Sequence, residues 1–154
     1  MTSLILALMS ALIGVLLILF IPGENKKLRN SMVFLSVLLA MAFSWRVGLM
    51  IFAGKSIGLE IELGRFVWSL RPDPLGAVFG LIASTLWLFT AVYSFGYMGN
   101  KERQHTFYAF FLLALCVTLG VAFAGNLVTL YLFYEFLSFA TYPLVIHERT
   151  PEAM

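Results

Sequence analysis

The sequence has 154 residues, of which 61% are hydrophobic and 12% charged, and its formal net charge is +2. An average soluble domain carries roughly 25% charged residues, so the composition indicates a membrane protein. The small net charge offers no basic stripe for nucleic acid. The one cysteine, Cys116, gives no disulfide framework or metal cluster. Because the sequence also lacks a cofactor motif and metal-ligand spacing, we expect no cofactor and no metal.

Five apolar stretches are separated by short polar segments. Each is near the roughly 20 residues that a helix needs to cross the hydrocarbon core. None alternates at every second residue, as the strands of a membrane barrel do. We therefore predict an all-α integral membrane fold of about five transmembrane helices. The predicted spans are Ser3–Pro22, Ser31–Ala53, Pro74–Met98, Thr106–Gly125 and Leu127–Ile146.

The segment 55–72 is the longest connection between predicted spans. It contains the strict apolar–acidic alternation Leu59–Leu63, then Gly64 and the β-prone run Phe66–Trp68. This pattern predicts a short β-hairpin on the outer surface. Asp73 followed by Pro74 is typical of a helix N-cap and first turn. Asn126 is expected to cap the fifth span in the same way.

The distribution of Lys and Arg predicts the orientation, because cytoplasmic loops carry the excess of these residues. With the N-terminus outside, six basic residues lie on the inner side and three on the outer side. We therefore predict that the N-terminus is outside. The inner residues are Lys26, Lys27, Arg29, Lys101, Arg103 and Arg149, and the outer ones are Lys55, Arg65 and Arg71.

Glu135 is the only carboxylate near the middle of the fifth span. A charge at the centre of a membrane helix costs on the order of 3 kcal/mol on insertion scales. An acid at that depth is therefore a functional hypothesis, and we predict that Glu135 carries a proton. The alternative is that Glu135 only hydrogen-bonds a neighbouring helix as a packing contact.

Three hydroxyl-bearing residues share the predicted helical face of Glu135. At about 100° per residue, Tyr131, Ser138 and Tyr142 all project within about 60° of it. Their hydroxyls could hydrogen-bond the acid directly or hold a water beside it, and either would lower the cost of its depth. We predict that they support the proton carrier.

Two further polar residues have alternative interpretations. Arg46 lies about 10 Å from the predicted outer end of the second span. Its side chain could snorkel to the interface, contact a lipid phosphate or take part in transport. His147, at the inner end of the fifth span, is either an ordinary interfacial histidine or a point of proton entry.

The last residues, Thr150-Pro151-Glu152-Ala153, have the order of an N-cap, a first-turn proline, an acid and a helix former. They predict the start of another helix. We therefore expect a fragment, a split gene product or a truncated chain. Residues 1–125 would hold four helices with the hairpin, and residues 126–154 would begin a translocation module with the fifth helix and the cap of a sixth.

Several motifs resemble the N-terminal part of the antiporter-like membrane proteins found in respiratory complex I, Mrp-type Na+/H+ antiporters and membrane-bound hydrogenases. The resemblance runs from about Arg71 to the end of the chain. The first two spans fit by position more than by motif. The segments that carry it are Asp73–Phe79, Val92–Met98, Gly125–Glu135 and Thr150–Ala153.

The resemblance implies an N-terminal part of a fold with about fourteen helices, in which two inverted repeats of five helices begin at the fourth. It also implies that Glu135 corresponds to the acid of the proton pathway. In the family that acid works against a lysine on the seventh helix, which this sequence does not reach. A separate chain with the remaining helices, and other membrane subunits, are the implied partners in a prokaryotic plasma membrane.

Three functions follow as alternatives. The first is a subunit that translocates H+ or Na+ within a larger complex and has no redox chemistry of its own. The second is a structural or assembly subunit in which Glu135 is a relic. The third is a small independent channel, which would need to oligomerise because one helix with one acid makes no pore. Whether the complex oxidises NADH, evolves hydrogen or only exchanges ions stays open.

Overall fold

The computed structural model describes residues 1–20, 25–64, 66–98 and 104–145. It contains five helices, each long and apolar enough to cross a membrane, and one two-stranded sheet. The predicted helical membrane fold is confirmed. The elements in chain order are α1 (Thr2–Phe20), α2 (Lys26–Phe52), β1 (Leu59–Leu63), β2 (Phe66–Leu70), α3 (Pro74–Tyr97), α4 (Gln104–Ala122) and α5 (Leu127–Val145).

Both predicted helix caps are confirmed. The Asp73 carboxylate accepts a hydrogen bond of 2.6 Å from the Gly76 backbone N–H. The Asn126 side chain accepts one of 2.8 Å from the Thr129 N–H. Each cap satisfies a backbone donor that has no partner within its own helix.

The predicted start of the second span, Ser31, is wrong, because α2 begins at Lys26. Lys, Leu and Arg are good helix formers, so the first turns continue the apolar helix into the polar residues of the preceding connection. One consequence is that Arg29, which the sequence placed in a loop, belongs to α2 and is buried.

Helix α4 occupies the centre of the bundle. It contacts all four other helices, whereas α5 packs mainly on α4 and β2. The largest buried side chains of α4 include Tyr108, Leu112, Leu115 and Leu119. Gly120 allows close approach to α5, since a Cβ there would lie 2.3 Å from the Phe133 ring.

The predicted outer hairpin is confirmed as an antiparallel pair with Leu59 opposite Leu70 and Ile61 opposite Trp68. Its second strand extends to the connection between α4 and α5, where Leu70 forms a bridge with Ala124. The Gly125 N–H donates a hydrogen bond of 2.7 Å to the Ser69 carbonyl. A Cβ at Gly125 would lie 2.5 Å from Ser69 Oγ, so only glycine fits this approach.

Candidate functional site

Glu135 lies near the middle of α5 and is half-buried. It is eight residues from the first residue of the helix, which is about 12 Å along the axis. At this depth the carboxyl group is far from both ends of an apolar helix. The structure therefore agrees with the depth that the sequence predicted.

The opposite side of α5 is the side that packs. Thr129 and Ala140 are fully buried, and Phe133 meets Gly120 of α4. Glu135 follows Phe133 by two residues, so it projects about 200° around the helix from that contact. The carboxyl group consequently points away from α4, on a face that the described residues leave open.

The predicted supporting residues lie on this open face. Tyr131, one turn before Glu135, interacts with its carboxylate and is largely exposed, as is Tyr142. The Ser138 hydroxyl donates a hydrogen bond of 3.4 Å to the Tyr134 carbonyl one turn earlier. The structure thus places Tyr131 against the acid, whereas Ser138 bonds the helix backbone.

The hairpin anchors the outer end of α5. The Asn126 side-chain amide donates a hydrogen bond of 2.7 Å to the Val67 carbonyl. The Ser69 N–H donates one of 2.9 Å to Thr129 Oγ1. The Trp68 and Phe133 rings lie 5.7 Å apart between centroids. Backbone, side-chain and ring contacts therefore hold the helix with Glu135 at a defined depth and rotation.

The other predicted polar residues are separate from this site. Arg46 is exposed on α2, which suits a side chain that reaches toward the interface. His147 lies outside the described residues, as does the predicted cap of a sixth helix. Within the described ranges, no group of three or more His, Cys, Asp or Glu side chains is arranged to hold a metal.

Sequence reasoning missed a buried polar cluster at the end of the bundle opposite the hairpin. Arg29 is only 2% exposed. Its guanidinium donates to the Gln104 side-chain carbonyl and to Asn30 Oδ1 at 3.3 Å, and it lies 5.2 Å from the centroid of the Tyr108 ring. Tyr108 in turn donates a hydrogen bond of 3.2 Å to the Ser94 carbonyl.

This cluster joins α2, α3 and α4. Gln104, in the first turn of α4, also donates to the Met98 carbonyl at the end of α3. A guanidinium buried over an aromatic ring is stabilised by the cation–π interaction. The signal available in the sequence was the position of Arg29 just before an apolar run, with Gln104 just before another.

The fold resembles that of a chain in a solved membrane complex. A chain of the membrane-bound sulfane sulfur reductase, an archaeal respiratory membrane complex, superposes with a TM-score of 0.81 at 22% sequence identity. The match covers 98% of this chain and 24% of the other. At this identity the comparison establishes the fold alone.

The sequence itself is similar to Na(+)/H(+) antiporter subunit A1 of Staphylococcus aureus. The proteins of strains JH9, Newman and JH1 are each 36% identical to it over 86 residues. This chain is related to the antiporter-like membrane subunits. The matched part is 56% of this chain, and it spans only 11% of the length of these relatives. No protein-family model matches the antiporter-like chain.

Proposed function

We propose that this antiporter-like chain is a subunit of a larger ion-translocating membrane complex and that Glu135 carries the proton in it. The observation that supports the proposal most is the placement of Glu135. It is a half-buried acid at the middle of a spanning helix, on the face opposite the helix packing. Similarity to relatives named Na(+)/H(+) antiporter subunit A1 makes ion exchange the activity we propose.

The acid suits this role because glutamate can exchange a proton at a fixed place. A neutral carboxyl group tolerates an apolar environment, and an approaching cation favours the ionised form. Alternation between these two states would move a proton past Glu135. The Tyr131 hydroxyl, which interacts with the carboxylate, is positioned to share the hydrogen bonding of either state.

The open face of α5 requires a neighbour that the described residues do not supply. Tyr131, Phe139 and Tyr142 are each more than 60% exposed there. A large exposed apolar face that contains an acid is costly in lipid. We therefore propose that further helices of a complex, of the Mrp antiporter, complex I or hydrogenase type, cover this face and supply the cation that works against Glu135. The proposed location is a prokaryotic plasma membrane, with the N-terminus outside.

Everted membrane vesicles test this function. They should be prepared from cells that lack the gene for this chain and from the same cells after complementation, with a pH-sensitive dye to follow the proton gradient. Addition of Na+ should collapse part of the gradient only in complemented vesicles. Native gels should establish that the other subunits are present in both preparations. Equal exchange in vesicles that lack this chain would contradict the proposal and would leave the structural role as the better account.

A further inference from the structure

A groove between α1 and α4 lies at the end of the bundle opposite the hairpin. Its volume is about 370 Å³, within the range of roughly 300–1,000 Å³ that is usual for small-molecule sites. This groove is separate from Glu135, which lies on the far side of α5 from α4. It is lined by Val15, Ile18 and Leu19 of α1 and by His105, Thr106, Ala109, Phe110 and Leu113 of α4.

The groove has a polar end and an apolar end. His105 and Thr106 are in the first turn of α4, and Leu113 is eight residues beyond His105. At the helical rise this is about 12 Å deeper along the axis. Between these two levels the lining side chains are apolar. A helix of 19 residues is about 28 Å long, close to the hydrocarbon thickness, so the polar end lies at the membrane boundary.

His105 carries an unsatisfied polar atom into this groove. Its Nε2 atom is shielded from solvent and has no hydrogen-bond partner, although the ring lines the groove. Buried polar atoms in native proteins nearly always have a partner. An acceptor at the polar end of the groove would satisfy the imidazole.

We propose that this groove binds one diacyl phospholipid, with an acyl chain along Ala109–Leu113 and a phosphate or ester oxygen accepting a hydrogen bond from His105. The surrounding bilayer supplies this ligand, and the polarity of the groove follows that of a phospholipid from its glycerol region into its chains. The occupant differs from a partner helix in one respect that the groove selects for, since an oxygen acceptor is needed at the boundary and only hydrocarbon below it.

The test uses the complex purified in detergent through this chain and titrated with a limiting amount of phospholipid that carries a photoactivatable group in one acyl chain. Cross-linked peptides are then mapped by mass spectrometry. Labelling should concentrate at Phe110 and Leu113, above the more exposed α3 residues Leu86 and Phe89. His105→Leu should lower the groove labelling by about fivefold, as expected for the loss of one hydrogen bond.

Two kinds of control variant separate lipid binding from damage to the fold. Ala109→Phe should fill the groove and abolish its labelling, whereas Ala42→Phe, on an exposed part of α2, should not. Thr90→Val removes an exposed hydroxyl of α3 and should also leave the labelling unchanged. Uniform labelling of all exposed positions, equal labelling of the His105→Leu complex, or cross-links from the groove to a partner protein would each overturn the proposal.

Discussion

The backbone N–H of Ser69 donates a hydrogen bond of 2.9 Å to Thr129 Oγ1, and this bond joins the hairpin to α5 across 60 residues of sequence. Both residues are buried. The threonine therefore satisfies a backbone donor that water does not reach. This contact fixes the outer end of the helix that contains Glu135.

Thr129→Val should destabilise the chain, because valine keeps the shape but leaves the Ser69 N–H unsatisfied. The expected cost is about 1–3 kcal/mol. The control is Thr141→Val, whose hydroxyl bonds only backbone carbonyls in its own helix and should matter little. Thermal unfolding in detergent can be followed by a thiol-reactive dye, since Cys116 is the only cysteine and is buried. Equal melting temperatures for the two variants would show that the hairpin contact carries no stability.

Arg29→Ala should also destabilise the fold, because it leaves the buried Gln104 carbonyl without its donor. We expect a loss of about 1–3 kcal/mol. Arg29→Lys should restore only part of it, since an ammonium lacks the planar fork of the guanidinium. Lys27→Ala is the control because Lys27 is exposed near the start of the same helix. A Lys27→Ala variant as unstable as Arg29→Ala, in the same dye assay, would contradict the role assigned to the cluster.

Gly120→Ala should separate α5 from α4. A Cβ at this position would lie 2.3 Å from the Phe133 ring, and overpacking of this kind costs about 1–3 kcal/mol. Gly96→Ala is the matched change, because a Cβ at Gly96 has no neighbour within 4 Å. There the melting temperature should hold or rise slightly. The same direction of change in both variants would argue against close packing at Gly120.

The sequence predicted the helices, the hairpin and both caps because each depends on local pattern: apolar runs, alternation and short capping residues. It did not predict where Arg29 would lie. Burial of that side chain depends on Gln104 and Tyr108, which are distant in sequence and approach only when α2 and α4 pack. The rotation of α5 was likewise set by the contact of Phe133 with Gly120, which periodicity alone does not reveal.

The predicted orientation can be tested with a cysteine at Lys26. In a Cys116→Ala background, Lys26→Cys should react with a membrane-impermeant thiol reagent only after the cytoplasmic side is opened. The reason is the excess of Lys and Arg predicted on that side. Glu62→Cys, in the hairpin at the other end of the bundle, should react from outside. The reverse labelling pattern would invert the topology.

The central claim is that Glu135 exchanges a proton during ion translocation. The most direct measurement is Na+/H+ exchange by the reconstituted complex with Glu135→Gln in this chain, because glutamine keeps the shape and hydrogen bonding but cannot titrate. Glu62→Gln, at an exposed position of the hairpin, is the control for loss of a carboxylate. We predict that the Glu135→Gln complex assembles normally and has no exchange, while the control exchanges ions like the wild type. Wild-type exchange by an assembled Glu135→Gln complex would contradict the account.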